Sequence, residues 1–299
     1  MTTPEELEGF RRERYFARSW ALLTKDRGWI KPVLVMTVAV LVPIVGVLGV
    51  IGYLYEWARL TAWGVNAAPK QRGVRIGACI ASGWRAFVVA LVWTIVSGIV
   101  LGIVAVLPVI GPIVSLLWTI INSVLALVIM VAALRATIYQ RIWGGLRVST
   151  IWKMVSHDPG GLARVYGISL LGALIIGTVS SIVTFVALIG AIPQLIYYAN
   201  YISAYESVMT SSMQAAFALQ VLFAFLADIG PAIIVLILLV GFMGTILSMI
   251  LVTAVGLWMR QFDVASWGRE EDPLPPFADS PQGEDARDEQ DEGPVTPLP

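Results

Sequence analysis

Between Arg85 and Arg135 the chain carries no charged residue. The stretch reads FVVALVWTIVSGIVLGIVAVL, then PVIGP, then IVSLLWTIINSVLALVIMVAAL. Its two arms, residues 87–107 and 113–134, are 21 and 22 residues long. A helix needs roughly 20 apolar residues, at about 1.5 Å each, to cross a bilayer core about 30 Å thick. Pro108 and Pro112 flank Val-Ile-Gly. Proline lacks an N–H and fixes φ, so this pattern stops one helix and starts another. The stretch therefore predicts a transmembrane helical hairpin with a very short turn. The competing reading, a buried hairpin of a soluble domain, is disfavoured because two uncharged arms of spanning length are rare there.

Composition agrees. The 299 residues are 58% hydrophobic and 13% charged, whereas soluble domains are about 25% charged. The formal net charge of zero hides an asymmetry, because 11 of the 20 acidic residues lie between Asp263 and Glu292. The remainder is basic, as expected of loops facing an anionic leaflet. A single cysteine, Cys79, excludes an intramolecular disulfide, and a single histidine, His157, excludes a His-built metal site in one chain. The strongly charged first 31 residues do not read as a signal peptide.

In chain order, residues 1–31 predict a basic amphipathic helix. Leu7, Phe10, Tyr15, Phe16, Trp20 and Leu23 recur at helical spacing among Arg11, Arg12, Arg14 and Arg18. Such a helix suits the lipid interface, with docking of a partner as the alternative. The apolar run 33–55 follows, with Pro43 near its middle and Gly46, Gly49 and Gly52 three apart. These glycines predict close helix packing, and Glu56 and Arg59 read as a surface pair at i,i+3. Residues 64–83 read as a loop. Gly98 and Gly102 form a GxxxG in the first arm of the central hairpin, again a packing signal. Asn122, the amide of the second arm, is a candidate intramembrane polar contact. Residues 135–164 read as a long basic loop that ends with Asp158 as helix cap and Pro159 at the first helical position. The run 166–192 is rich in small residues, and Pro193 is expected to end it. Residues 194–230 read as an amphipathic helical insertion, ended by Gly230 and Pro231. The last apolar run is 232–257. From residue 268 to 299 the chain is acidic and poor in large apolar residues, which predicts disorder.

Lysine and arginine set orientation. There are seven in residues 1–31, five in 56–86, five in 135–164, none in 189–231 and three from 258 onward. The region with none is expected outside, and both termini in the cytoplasm. Four runs satisfy this as full spans. The run 33–55 has basic flanks on both sides, so it is expected to bend at Pro43 and return, each half being too short to cross. The expected fold is all-α: a polytopic transmembrane bundle over residues 32–265, with about four full spans, one bent or re-entrant N-terminal segment and amphipathic interfacial helices.

Trp20-x3-Thr24-x-Asp26-x-Gly28 and Trp152-x3-Ser156-x-Asp158-x-Gly160 share one spacing, each just before an apolar run. Pro43-Ile-Val-Gly46 matches Pro108-Val-Ile-Gly111. Together they point to duplicated units of interfacial helix plus membrane hairpin. The stretches GWIKPVLVMTVAVLVPIVGVLGVIGYLYEWAR, STIWKMVSHDPGGLARVYG and LVTAVGLWMRQFDV resemble the uncharacterised prokaryotic membrane family known as domain of unknown function 4013. The resemblance covers about residues 15–192 and 235–265, and its most specific piece is Pro-Ile-Val-Gly…Gly-Tyr at 43–53. It implies a multi-pass bacterial or archaeal membrane protein, with no activity and no functional residues to carry over.

The sequence has no phosphate loop, HExxH, GxSxG or CxxC. No acid or base lies deep in the four expected spans, where proton-coupled transporters place one. The expectation is a non-enzymatic membrane scaffold or envelope-associated protein without cofactor, metal or nucleic acid. Its partners would be membrane lipids, and a protein at the basic loops or the acidic tail. The alternative is a transporter or channel for a small solute or lipid, built on the hairpin repeats.

Overall fold

The computed structural model describes residues 14–105, 111–205 and 210–262. Residues 1–13 of the expected N-terminal helix, most of the turn around Pro108, Glu206 and the acidic tail 268–299 lie outside the described residues. Among the described residues every regular element is helical, as the apolar runs predict.

Helix α1, Tyr15–Leu23, buries Tyr15, Ser19, Leu22 and Leu23. Its outward Phe16 and Trp20 stack at 6.4 Å, and Trp20 meets Trp29 edge-on at 5.8 Å. The apolar run 33–55 is bent. Helix α2 is Ile30–Ala39 and helix α3 is Val45–Ala62. Between them the chain closes on i→i+3 bonds, Leu41 N–H to Val38 O at 3.0 Å and Val42 N–H to Ala39 O at 2.9 Å. Ile44, right after Pro43, sits at φ 62°. A Cβ on Gly46 would overlap the Ala39 carbonyl oxygen, so the reversal needs glycine there.

Helix α4 is Ile76–Ala105 and helix α5 is Gly111–Ile138. Both outrun their apolar arms. The expected loop 64–83 shrinks to residues 63–75, and α5 continues past Arg135. Helices α3 and α4 cross with backbones nearly touching. A Cβ on Gly52 would overlap the Cys79 carbonyl, and one on Gly83 the Leu48 carbonyl. The expected basic loop 135–164 is largely two short helices, α6, Ile142–Leu146, and α7, Val148–His157. Helix α7 is amphipathic: Ile151 packs against Val89, Ala132 and Ala136, while Val148 and Trp152 face out.

Helix α8 is Pro159–Tyr205, 47 residues, and helix α9 is Ser211–Met259, 49 residues, followed by a 3-10 turn Arg260–Phe262. Pro193 and Pro231 lie inside these helices. The expected break at Pro193 and the expected end at Gly230–Pro231 do not occur: residues 194–205 continue α8, and residues 211–230 begin α9. Among the described residues four helices are long and apolar enough to cross a membrane, over Ile76–Ile103, Ile121–Ile138, Pro159–Tyr201 and Ile229–Phe262. Residues 170–247 form one compact unit and the rest of the chain another. In the 170–247 unit most large apolar side chains face out, as lipid-facing helices require. There Tyr201 stacks on Phe217 at 4.9 Å, and a Cβ on Gly172 would overlap the Leu247 side chain.

Candidate functional site

A buried polar knot joins the end of α3, the start of α4 and the end of α5. Glu56 and Arg59 are each 1% exposed, so the pair read as lying on the surface is in fact enclosed. Their spacing places both on one helix face, with Glu56 Oε2 facing Arg59 Nη1 at 3.6 Å. Ser82 Oγ donates to Glu56 Oε1. Gln140 Nε2 donates to the same oxygen at 3.4 Å and to Thr137 O at 3.0 Å. Arg85 Nη1 donates to Gln140 Oε1, and to Ser82 Oγ at 3.3 Å. A carboxylate taken out of water is tolerated only when charges and donors surround it. Here three helices supply them.

Gln140 also holds an unusual backbone. It has φ 53°, with Gln140 N–H bonded to Thr137 O at 3.2 Å and Arg141 N–H to Ala136 O at 3.1 Å. That is a Schellman ending, whose left-handed position normally takes glycine. Helix α3 ends the same way with a glycine, Gly64 at φ 91°. At the end of α5 the glutamine side chain is what the knot requires. Nearby on the chain, Arg135 is 5% exposed, and its guanidinium lies 5.2 Å from the Tyr139 ring centre. Its Nε and Nη1 have no hydrogen-bond partner among the described residues.

A second polar station starts α8. Asp158 Oδ1 accepts from Gly161 N–H at 2.8 Å, confirming the expected cap. Its Oδ2 accepts from Trp258 Nε1 at 3.1 Å and Gln261 Nε2 at 3.0 Å. Burial pushes the Asp158 carboxyl up, but these three hydrogen bonds and the Arg164 charge outweigh it and hold the group below its ordinary value. His157, exposed, sets its ring edge-on to Phe262 at 5.6 Å. Among the described residues no three His, Cys, Asp or Glu side chains converge as metal ligands do.

The sequence-predicted packing glycines divide. Gly46 and Gly52 sit at close backbone approaches, and Gly83, which the sequence reading missed, is the partner of Gly52. Gly49, Gly98 and Gly102 meet no atom within 4 Å of a built Cβ, so the structure gives them no helix contact among the described residues. Spacing alone could not separate these two groups, because only the crossing partner decides. Asn122 is half-buried, and the side-chain bond across helices is made by its neighbour instead, Ser123 to the Tyr166 hydroxyl at 2.6 Å.

Among the described residues, four helices long and apolar enough to cross a membrane and a bent fifth apolar segment point to a membrane-embedded helical protein. The chain belongs to a family described as a protein of unknown function, DUF4013, whose profile matches residues 35–185, just over half of the chain. No curated protein and no solved structure matches it.

Proposed function

We propose that this protein is a non-enzymatic multi-pass membrane scaffold that contacts lipid and partner proteins from a basic cytoplasmic face, with both termini on that side. The observation that carries this reading is the knot itself. The one acid on α3, Glu56, is engaged by Arg59, Ser82 and Gln140 at a helix end. A coupling acid of a proton-driven carrier has to change partners during the cycle, whereas this one fastens three helices. One observation favours the alternative, a transporter for a small solute or lipid. The broken helix α2–α3 borders an apolar cleft, and interrupted helices often mark transport sites.

Purified protein in vesicles separates the two. Vesicles loaded with fluorescent solutes, or carrying labelled phospholipid, should leak and flip at the rate of empty ones. Protein-dependent flux of either kind would overturn the scaffold reading. Orientation has its own test. With Cys79 replaced by alanine, a cysteine at Ser149 should resist an impermeant thiol reagent in intact cells, and one at Ser212 should react. The reverse pattern would invert the topology.

A further inference from the structure

The bend at Pro43 leaves a cleft of about 490 Å³ between α2, α3 and the segment 70–76. Its walls are Val35, Met36 and Ala39 from α2, and Val45, Gly49 and Val50 from α3. One end is lined by Lys31, Lys70 and Arg72. There it adjoins a polar basin that shares those three cations and includes a single acid, Asp26. The Asp26 carboxylate already accepts the Gly28 N–H at 3.2 Å. Lys31 and Arg72 are exposed and make no ion pair among the described residues.

We propose that this cleft seats one acyl chain of an anionic phospholipid, with the headgroup phosphate held by Lys31, Lys70 and Arg72. The proposal rests on the lipid-contacting scaffold reading and gives it a defined site. Length supports it. Helix α2 has 10 residues, which is about 15 Å of rise, or half of a bilayer core of roughly 30 Å. The cations lie where α2 begins and just after α3 ends, so they share one end of the cleft, as one headgroup layer requires. The volume lies within the range of about 300–1,000 Å³ typical of small-ligand sites. A bare soluble anion would leave the apolar walls unused, and a neutral hydrophobe would leave the exposed Lys31 and Arg72 without an anion. Gly49 lines the cleft and has nothing within 4 Å of its Cβ position, so a larger side chain there starts into open space and takes part of the acyl chain's place.

The test uses the full chain in maltoside micelles. Lipid retained is counted by native mass spectrometry, and melting is followed by tryptophan fluorescence. The probes are long-chain phosphatidylglycerol, phosphatidylcholine of the same chains, and inorganic phosphate. Phosphatidylglycerol should be retained at one copy above phosphatidylcholine and should raise the melting temperature, while phosphate should not. A basic residue near an anionic surface is worth roughly fivefold in binding. The double variant Lys31→Ala/Arg72→Ala, at two exposed positions, should therefore lose roughly 25-fold of that preference. Gly49→Leu should melt like the parent without lipid and retain less of both lipids. Equal retention of the two lipids by the parent would overturn the site. So would retention unchanged in both variants, or stabilisation by phosphate equal to that by phosphatidylglycerol. The flux assay separates this from the scaffold reading. Lost lipid binding in tight vesicles removes the site alone, and flux with intact selective binding removes the scaffold role alone.

Discussion

The chain builds one pattern twice, and the copies differ in where they are held. In the first, α1 leads through Asp26 into the apolar run that starts with α2. In the second, α7 leads through Asp158 into α8. Each aspartate accepts a backbone N–H from the turn, Gly28 at 3.2 Å and Gly161 at 2.8 Å. Among the described residues Asp26 accepts no further hydrogen bond of this kind, whereas Asp158 also holds Trp258 and Gln261. Each copy then meets a proline. At Pro43 the helix breaks, and at Pro193 it continues. Proline by itself therefore does not decide. Breaking a helix in lipid frees N–H and C=O groups that need partners. After α2 those groups close on tight i→i+3 bonds beside Gly46, and α3 is then clamped by the Gly52–Gly83 crossing and the charge knot. Around Pro193 the flanking Ile192, Leu195 and Ile196 face out. On that outward side little protein can receive freed groups, although Ala191 on the other side is buried, so an unbroken helix leaves the fewest unsatisfied.

If the knot is what lets the first copy break, Glu56→Gln should be the most damaging single change in it. The glutamine leaves the buried Arg59 charge without its counter-ion, and breaking such a pair costs about 3–5 kcal/mol. Unfolding titrations in maltoside should show a loss of that size, with Ser82→Ala costing about 1 kcal/mol. A loss under about 1 kcal/mol for Glu56→Gln would mean that the clamp lies elsewhere.

Next in size is the helix crossing. Gly52→Ala forces a methyl into the Cys79 carbonyl, and overpacking typically costs about 1–3 kcal/mol. Gly49→Ala, one step along the same glycine series, meets nothing within 4 Å. It should stabilise by about 0.5–1 kcal/mol, because alanine loses less backbone freedom in a helix. Equal effects at the two positions would show that α3 does not cross α4 where the structure has it.

The same pair shows how far the sequence could be read. Runs without charge marked the four spans, because length and hydropathy are local properties, and Pro43 between two basic flanks marked the bend. Helix ends were misplaced because charge was taken as the limit. Arg85 and Arg135 are both helical, and their helices continue until turns at Gly73 and Gln140 stop them. The Glu56–Arg59 pair was visible as a spacing. Its enclosure was not, since Ser82 and Gln140 arrive from residues 26 and 84 positions away. Glycine spacing marked Gly46, Gly49 and Gly52 alike, although only the first and last have a backbone opposite them.

A smaller effect separates strain from bonding at the knot. Gln140 occupies a left-handed position that glycine takes at lower cost, by roughly 1 kcal/mol. Gln140→Ala keeps that strain and loses the bonds to Glu56, Arg85 and Thr137. Gln140→Gly loses the same bonds but relieves the strain. The order should be parent, then glycine, then alanine, with glycine and alanine about 1 kcal/mol apart in the same titration. A glycine variant more stable than the parent would show that the side-chain bonds contribute less than the roughly 1 kcal/mol of strain they hold in place.

The smallest effect tests the second copy, through pH. The folded protein holds the Asp158 carboxyl below its ordinary value, so the charged form is favoured by folding. Its contribution is fully present above the unfolded-state value of about 4. It is lost as pH falls from there through the lowered folded value, because the unfolded chain then binds the proton first. The parent should therefore lose stability on acidification below about pH 4. Asp158→Asn should lose less over that window, while melting earlier at neutral pH. The asparagine still offers one oxygen to Gly161 N–H, but the NH2 that replaces the other oxygen accepts from neither Trp258 nor Gln261. Parallel acid limbs for parent and variant would mean that the turn into α8 is held by Pro159 and packing, as the Asp26 turn is held with one bond, and the contrast between the copies would lie in the proline sites alone.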